Sequence, residues 1–175
     1  LGLASSWGDC IDTFGYDLST VDLVLTTLST IVHECGHFAD GDASTFSDNA
    51  YLVNQTTSFD AAAGDTTDRG GVTFARSRIR GDAYASAHPP CDSTTSSVCD
   101  GYADVYLGGD PDDAAFDGGD QGFNLLFEET VQYVNSLATD YAFHDEIAEI
   151  IIASSSRDGI LTFLWYIERY LAYAR

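Results

Sequence analysis

Two histidines four positions apart, with a glutamate directly after the first, are the residues of this sequence best suited to chemistry. They are His33, Glu34 and His37. On an α-helix, residues at i and i+4 lie above one another on the same face, so both imidazoles can reach one tetrahedral zinc ion at about 2.0–2.1 Å. Glu34 is rotated off that face by one residue, which lets its carboxylate reach a water on the metal without displacing a ligand. The spacing predicts a zinc site with Glu34 as general base.

The residues around this motif predict a helix over about residues 20–38. Ser19 or Thr20 can cap its start. Apolar residues then recur at helical spacing and define a buried face: Val24, Leu25, Leu28, Ile31, Val32 and Cys35. Gly36 is expected to let a neighbouring segment approach closely, and Gly41 to end the helix. The alternative is that the histidines form a solvated or core pair with no metal.

The sequence His33-Glu34-Cys35-Gly36-His37 resembles the H-E-x-x-H signature of the zincin metallopeptidases. The resemblance implies an α+β fold, a minimal zincin-like domain with an active-site helix, a small mixed sheet and C-terminal helices. It also implies hydrolysis of peptide bonds by a zinc-bound water. Glu34 would take the proton of that water and deliver it to the leaving amine.

A catalytic zinc usually has three protein ligands, and the third one separates the zincin groups. In the metzincins the motif continues with Gly and then His or Asp at positions that are Asp40 and Ala43 here. Those enzymes also have a methionine-containing turn, and this chain contains no methionine. The metzincin interpretation is therefore disfavoured. Asp40 is either an acceptor for a hydrogen bond from a ligand histidine or a solvated aspartate at the end of the helix.

The gluzincin pattern fits better, because its third ligand is a glutamate on a second, downstream helix. That glutamate is followed by a small residue at i+3 and a polar one at i+4. Glu128 has Val131 and Gln132 at those positions, whereas Glu129 matches less well. The resemblance thus implies a zinc site made by the two motif histidines and Glu128, with Glu129 as the alternative. The nearby candidates for stabilising an oxyanion are Tyr133, Tyr141 and His144.

Hydrophobic periodicity predicts the other elements: helices over 123–143, 144–152 and 158–175, and strands over 72–79 and 102–107. Residues 1–18 are expected to form a loop, with a short strand as an option. Two apolar islands, 50–53 and 59–63, are interpreted as short helical turns. Residues 1–175 are predicted to form one domain. The last helix is apolar nearly all round, as expected for packing in a core or against a partner.

The net charge of −21 comes from 28 acidic residues against 7 basic ones. Such a surface repels nucleic acid and anionic membranes, and no apolar run is long enough to span a bilayer. The resemblance to the zincins implies a peptide or protein substrate. The Asp- and Gly-rich residues 108–120 are either a calcium site or a solvated acidic loop.

The four cysteines favour an extracellular protein with two disulfides. Cys91 and Cys99 bracket a Ser/Thr-rich loop, and Cys10 could join Cys35 on the back of the motif helix. Four free thiols in a reducing compartment are the alternative. The glycosylation sequon at Asn54 is consistent with secretion.

Two other functions remain open. One is an extracellular structural or adhesive subunit on a zincin-like fold that self-associates through its C-terminal helix. The other is an acidic calcium-binding module in which the histidine motif is accidental.

Overall fold

The computed structural model describes residues 3–54, 56–62, 106, 122–147 and 156–175. Its elements are α1 (Leu3–Phe14), α2 (Val21–Ala43), β1 (Asp48–Asn54), β2 (Thr57–Ala62), α3 (Gly122–Ala142), α4 (His144–Ile147) and α5 (Ser156–Tyr173). Over these residues the fold is mostly helical, with one two-stranded sheet. The predicted α+β class is confirmed at this level, although the described sheet is antiparallel rather than mixed.

The N-terminal segment is a helix, α1, so the prediction of a loop over residues 1–18 is wrong. Its end is marked by Gly15, which has a φ of 63° and donates its N–H to the carbonyl of Ile11 at 3.0 Å. Glycine suits this left-handed position because it has no Cβ. The residues of α1 have only a weak intrinsic preference for the helical conformation. Packing of α1 against α2 therefore stabilises this helix more than its own sequence does.

Helix α2, which carries the histidine motif, starts where the sequence predicts and ends later. The hydroxyl of Thr20 accepts a hydrogen bond from the N–H of Leu23 at 3.2 Å, which confirms Thr20 as the N-cap. Gly41 does not end the helix, contrary to the prediction. The helix continues to the Ser44 cap, whose N–H donates to the carbonyl of Asp40 at 2.9 Å.

A β-hairpin follows α2, so the prediction of short helical turns over 50–53 and 59–63 is wrong. Strands β1 and β2 pair antiparallel with Tyr51 opposite Phe59. Tyr51 is buried and Phe59 is exposed. The side chain of Asn54 accepts the N–H of Thr56 at 2.9 Å and thereby supports the turn. The first island faces the core through Ala50 and Tyr51, whereas residues 59–61 of the second island are exposed.

Contacts between residues divide the chain into two compact units. The first comprises Leu1–Ala62 and Val131–Arg157, and the second comprises Ala63–Thr130 and Asp158–Arg175. The boundary falls inside α3, which is one unbroken helix. The interpretation of the whole chain as one domain stays a prediction.

In the first unit, a disulfide between Cys10 and Cys35 joins α1 to the back of α2, as predicted. Both cysteines are fully buried and form a core cluster with Ile31. Three half-buried residues pack against this cluster: Ile11, Tyr16 and Phe38. The disulfide lies on the face of α2 opposite the histidines, because Cys35 is about 200° around the helix from His33. The predicted pair Cys91 and Cys99 lies outside the described residues.

In the second unit, an aromatic cluster buries one side of α5. Phe163, Tyr166 and Tyr170 are at most 1% exposed, and Phe123 of α3 contacts the Tyr170 ring with a centroid separation of 6.2 Å. The other side of α5 exposes Leu161, Leu164 and Leu171. The predicted strand over 72–79 lies outside the described residues. Of the predicted strand over 102–107, the structure describes Tyr106, which is helical.

Candidate metal centre

The motif helix α2 meets α3 at a glycine. A Cβ added to Gly36 would lie 2.6 Å from Cδ of Gln132 and closer still to its Oε1. No side chain larger than hydrogen fits that space without moving Gln132. The close approach expected at Gly36 is therefore confirmed, and Gln132 of α3 is the group that makes it.

A closed ring of buried and partly buried hydrogen bonds connects the motif helix to α3 and β1. Nε2 of Gln132 donates to Oδ2 of Asp40 at 2.8 Å, and Oδ1 of the same carboxylate accepts the N–H of Leu52 at 2.8 Å. Nδ2 of Asn135 donates at 3.1 Å to the carbonyl of Leu52 and at 3.1 Å to Oε1 of Gln132. Asp40 is 3% exposed and Gln132 is fully buried. A buried polar group without a hydrogen-bond partner lowers the stability of the fold. This ring therefore specifies how α2 and α3 align.

The alignment places His33 against two side chains of α3. Nδ1 of His33 lies 3.4 Å from Oγ of Ser136, and that hydroxyl also donates to the carbonyl of Ser29 at 3.3 Å. The Tyr133 ring meets the His33 ring edge to face, with centroids 4.7 Å apart. The rings of His33 and His37 are 5.0 Å apart, so both imidazoles lie on one face of α2 as their spacing predicts.

Glu129 completes a group that could hold a metal ion. One ligand atom from each of His33, His37 and Glu129 lies within 4.8 Å of the other two, and all three residues are half-buried. Ligands of a tetrahedral zinc at 2.0–2.1 Å stand about 3.3–3.4 Å apart, so small side-chain rotations would close the group around an ion.

The third member is Glu129, the alternative, rather than Glu128, which the gluzincin pattern favours. The physical reason is helical phase. Glu129, Gln132, Tyr133 and Ser136 follow one another at i, i+3, i+4 and i+7, so they share one face of α3. Glu128 is rotated by about 100° from that face. The residue spacing in the sequence shows that these four residues share a polar face. It does not indicate that this face packs against the histidines.

Tyr106 is a contact of Glu129 that the sequence did not predict. Its phenol donates to Oε2 of Glu129 at 3.4 Å, and its ring packs edge to face on Phe163 with centroids 4.7 Å apart. A phenol that donates to a carboxylate oxygen helps to orient that side chain, as supporting hydrogen bonds do for ligands in metal sites.

Glu34, the predicted general base, is half-buried on α2. Burial raises the pKa of Tyr16 above its ordinary value, and the negative charge of Glu34 raises the pKa further. Tyr16 therefore stays a neutral phenol at physiological pH. The charge of Glu34 thus acts on Tyr16, which packs against the cluster around the Cys10–Cys35 disulfide.

The other residues that the sequence predicted for the site differ in their contacts and exposure. Asp40, expected to accept from a ligand histidine, accepts from Gln132 and Leu52. Of the three candidates for an oxyanion donor, Tyr133 touches His33, whereas Tyr141 is 85% exposed. His144 is exposed and lies 3.3 Å from Asp145. The acidic segment 108–120 lies outside the described residues.

Comparisons with protein-family models, with curated proteins and with solved structures find no match for this chain. The resemblance to zincins thus rests on the motif and on the group of side chains just described. Over the part of the chain that the structure describes, no helix combines the length and apolar character needed to cross a membrane. The Cys10–Cys35 disulfide is compatible with an extracellular location.

Proposed function

We propose that the chain is a secreted zinc-dependent metalloendopeptidase. The observation that carries the proposal is the convergence of His33, His37 and Glu129 within 4.8 Å, with Glu34 next to the first ligand in sequence. Two imidazoles and one carboxylate form a donor set used by catalytic zinc sites, which keep a fourth position for water or substrate. Calcium prefers oxygen ligands alone, so this donor set favours zinc.

In the proposed reaction the residues of this chain bind the metal and move one proton. A zinc ion bound there would lower the pKa of a coordinated water toward about 7 and polarise the substrate carbonyl. Glu34 accepts a proton as the water oxygen attacks the carbonyl carbon, and donates it to the departing amine nitrogen when the C–N bond breaks. The hydrogen-bond ring around Asp40 keeps α2 aligned with the part of α3 that follows Val131.

The two adjacent glutamates of α3 provide a matched test. We would measure zinc by mass spectrometry in purified wild-type protein, in Glu129→Gln and in Glu128→Gln. We expect one zinc per chain in the wild type and in Glu128→Gln, and its loss in Glu129→Gln. Both substitutions remove one negative charge from neighbouring positions of one helix, so a general electrostatic effect would change them equally.

Two other outcomes of this measurement would change the assignment. Zinc lost in Glu128→Gln but kept in Glu129→Gln would make Glu128 the ligand. Zinc absent from folded wild-type protein supplied with the metal would contradict the proposed function.

A second candidate function is a self-associating extracellular subunit, and the exposed leucines of α5 favour it. Leu161, Leu164 and Leu171 are 40%, 49% and 47% exposed and lie on one face of α5, so they form a stripe rather than scattered exposed positions. Sedimentation velocity of the wild type and of Leu164→Gln would test it. Concentration-dependent dimers that the substitution abolishes would support it, and a monomer at all concentrations would contradict it.

A further inference from the structure

Ser136 makes a contact with the candidate metal centre whose consequence goes beyond binding of the ion itself. Its hydroxyl is buried, at 4% residue exposure, and lies between Nδ1 of His33 at 3.4 Å and the carbonyl of Ser29 at 3.3 Å. A hydroxyl has one proton to donate. The Ser29 carbonyl can only accept, so when the proton points to it, the oxygen of Ser136 must accept from His33.

We propose that Ser136 is a positioning residue that sets the tautomer of His33, with the proton on Nδ1 and with Nε2 as the nitrogen that would bind the metal. The proposal rests on the metal site of the proposed function. The path runs from His33 Nδ1–H to Ser136 Oγ, and from the Ser136 hydroxyl to the Ser29 carbonyl. Ser29 is one turn before His33 on α2, so the path returns to the helix that carries the ligand and restricts rotation of the ring.

The packing of the ring supports this assignment. Tyr133 lies edge to face with His33 at 4.7 Å, and it neighbours Ser136 on the same face of α3. One side chain thus contacts the ring and another contacts Nδ1. A ligand histidine in metal sites commonly donates its second ring nitrogen to an acceptor, which sets the tautomer and orients the ring. Here the acceptor is a serine from a second helix rather than a carboxylate.

The test has two parts, and the first uses the wild-type protein. In ¹⁵N-labelled, metal-free protein at a pH where His33 is neutral, long-range ¹H–¹⁵N correlation of the imidazole shows which nitrogen carries the proton. We expect the His33 proton on Nδ1. A proton on Nε2 would overturn the proposal, and this result does not depend on whether any variant folds.

The second part compares Ser136→Ala with Thr139→Ala by zinc titration against a competing chelator. Thr139 provides a control because its hydroxyl donates to the Asn135 carbonyl of its own helix at 2.9 Å. We expect Ser136→Ala to weaken zinc binding by about 10–100-fold and to give a mixture of His33 tautomers, with both unchanged in Thr139→Ala.

The outcomes separate this inference from the proposed function. Zinc binding that requires His33, His37 and Glu129 but is equal in the two alanine variants would overturn the role of Ser136 and leave the metal site intact. Wild-type protein that binds no zinc would overturn both.

Discussion

The buried carboxylate of Asp40 accepts a hydrogen bond from the side-chain amide of Gln132 at 2.8 Å, although the two residues are 92 positions apart in the chain. Asp40 belongs to α2, one turn after His37, and Gln132 belongs to α3, one turn after Glu129. The bond therefore connects the helix with the two histidines to the helix with the glutamate. It does so within one turn of the candidate metal centre.

Replacing Asp40 by Asn should destabilise the protein. In Asn an NH2 group replaces one of the two carboxylate oxygens, so a donor faces either the Leu52 N–H or Nε2 of Gln132, and one of these groups loses its acceptor. We expect a loss of about 1–3 kcal/mol in the free energy of unfolding, measured by urea denaturation in a chelator. Asp42→Asn, an exposed change on the same helix, should stay within about 0.5 kcal/mol of wild type. Equal effects of the two changes would contradict the importance of the ring.

Substitutions of Gly36 and Gly41, the two glycines of α2, provide a second comparison between a close-packed and an open position. Gly36→Ala places a methyl group against Gln132 and should cost about 1–3 kcal/mol as overpacking. Gly41→Ala meets nothing within 4 Å and should gain up to about 1 kcal/mol from helix propensity. Thermal and urea unfolding of both variants would test whether the two changes in stability have opposite signs. A stable Gly36→Ala variant would show that α3 does not pack closely against Gly36.

Removal of the disulfide should affect folding stability strongly. Cys10 and Cys35 are 25 residues apart, and closing a loop of that length restricts the unfolded chain by about 3–4 kcal/mol. We expect the double variant Cys10→Ala/Cys35→Ala to lose about that much free energy of unfolding in a denaturant titration. A midpoint equal to that of the wild type would mean that the two cysteines are not bonded in the native protein.

Glu34→Gln should separate catalysis from metal binding. The amide cannot take a proton from water, so we expect peptide hydrolysis to fall by about 10²–10⁴-fold while zinc content stays that of the wild type. Glu128→Gln is the control and should keep both zinc and activity. Hydrolysis that survives in Glu34→Gln would assign the base to another group.

Alkaline stability should depend on Tyr16. Its pKa is raised above the ordinary 10.0 by burial and by the charge of Glu34. As pH rises past 10.0, the phenol of the unfolded chain ionises before that of the folded protein. Its contribution to stability is thus present below that pH and is lost as pH rises through the higher, folded-state pKa. Tyr16→Phe should show a smaller fall in urea midpoint between pH 9 and about pH 11 than the wild type, whereas Tyr141→Phe, at an exposed position, should not differ from it.

Local patterns in the sequence were enough to predict the parts of this site that belong to one helix. The i, i+4 spacing put His33 and His37 on one face of α2, and Thr20 capped that helix as expected. The pairing of Cys10 with Cys35 was also predicted, because Cys35 lies on the face of the helix opposite the histidines. These inferences succeed because the geometry of an α-helix follows from residue spacing alone.

The tertiary structure decided whatever depends on contacts between distant segments. Residues 3–14 became a helix through packing and a disulfide, and residues 48–62 became a hairpin where helical turns were predicted. The choice between Glu128 and Glu129 depends on which face of α3 meets α2, and Gly36, Gln132 and Asp40 decide that together. Such a rotation is specified by complementary packing and buried hydrogen bonds between segments far apart in the chain, which local sequence patterns do not encode.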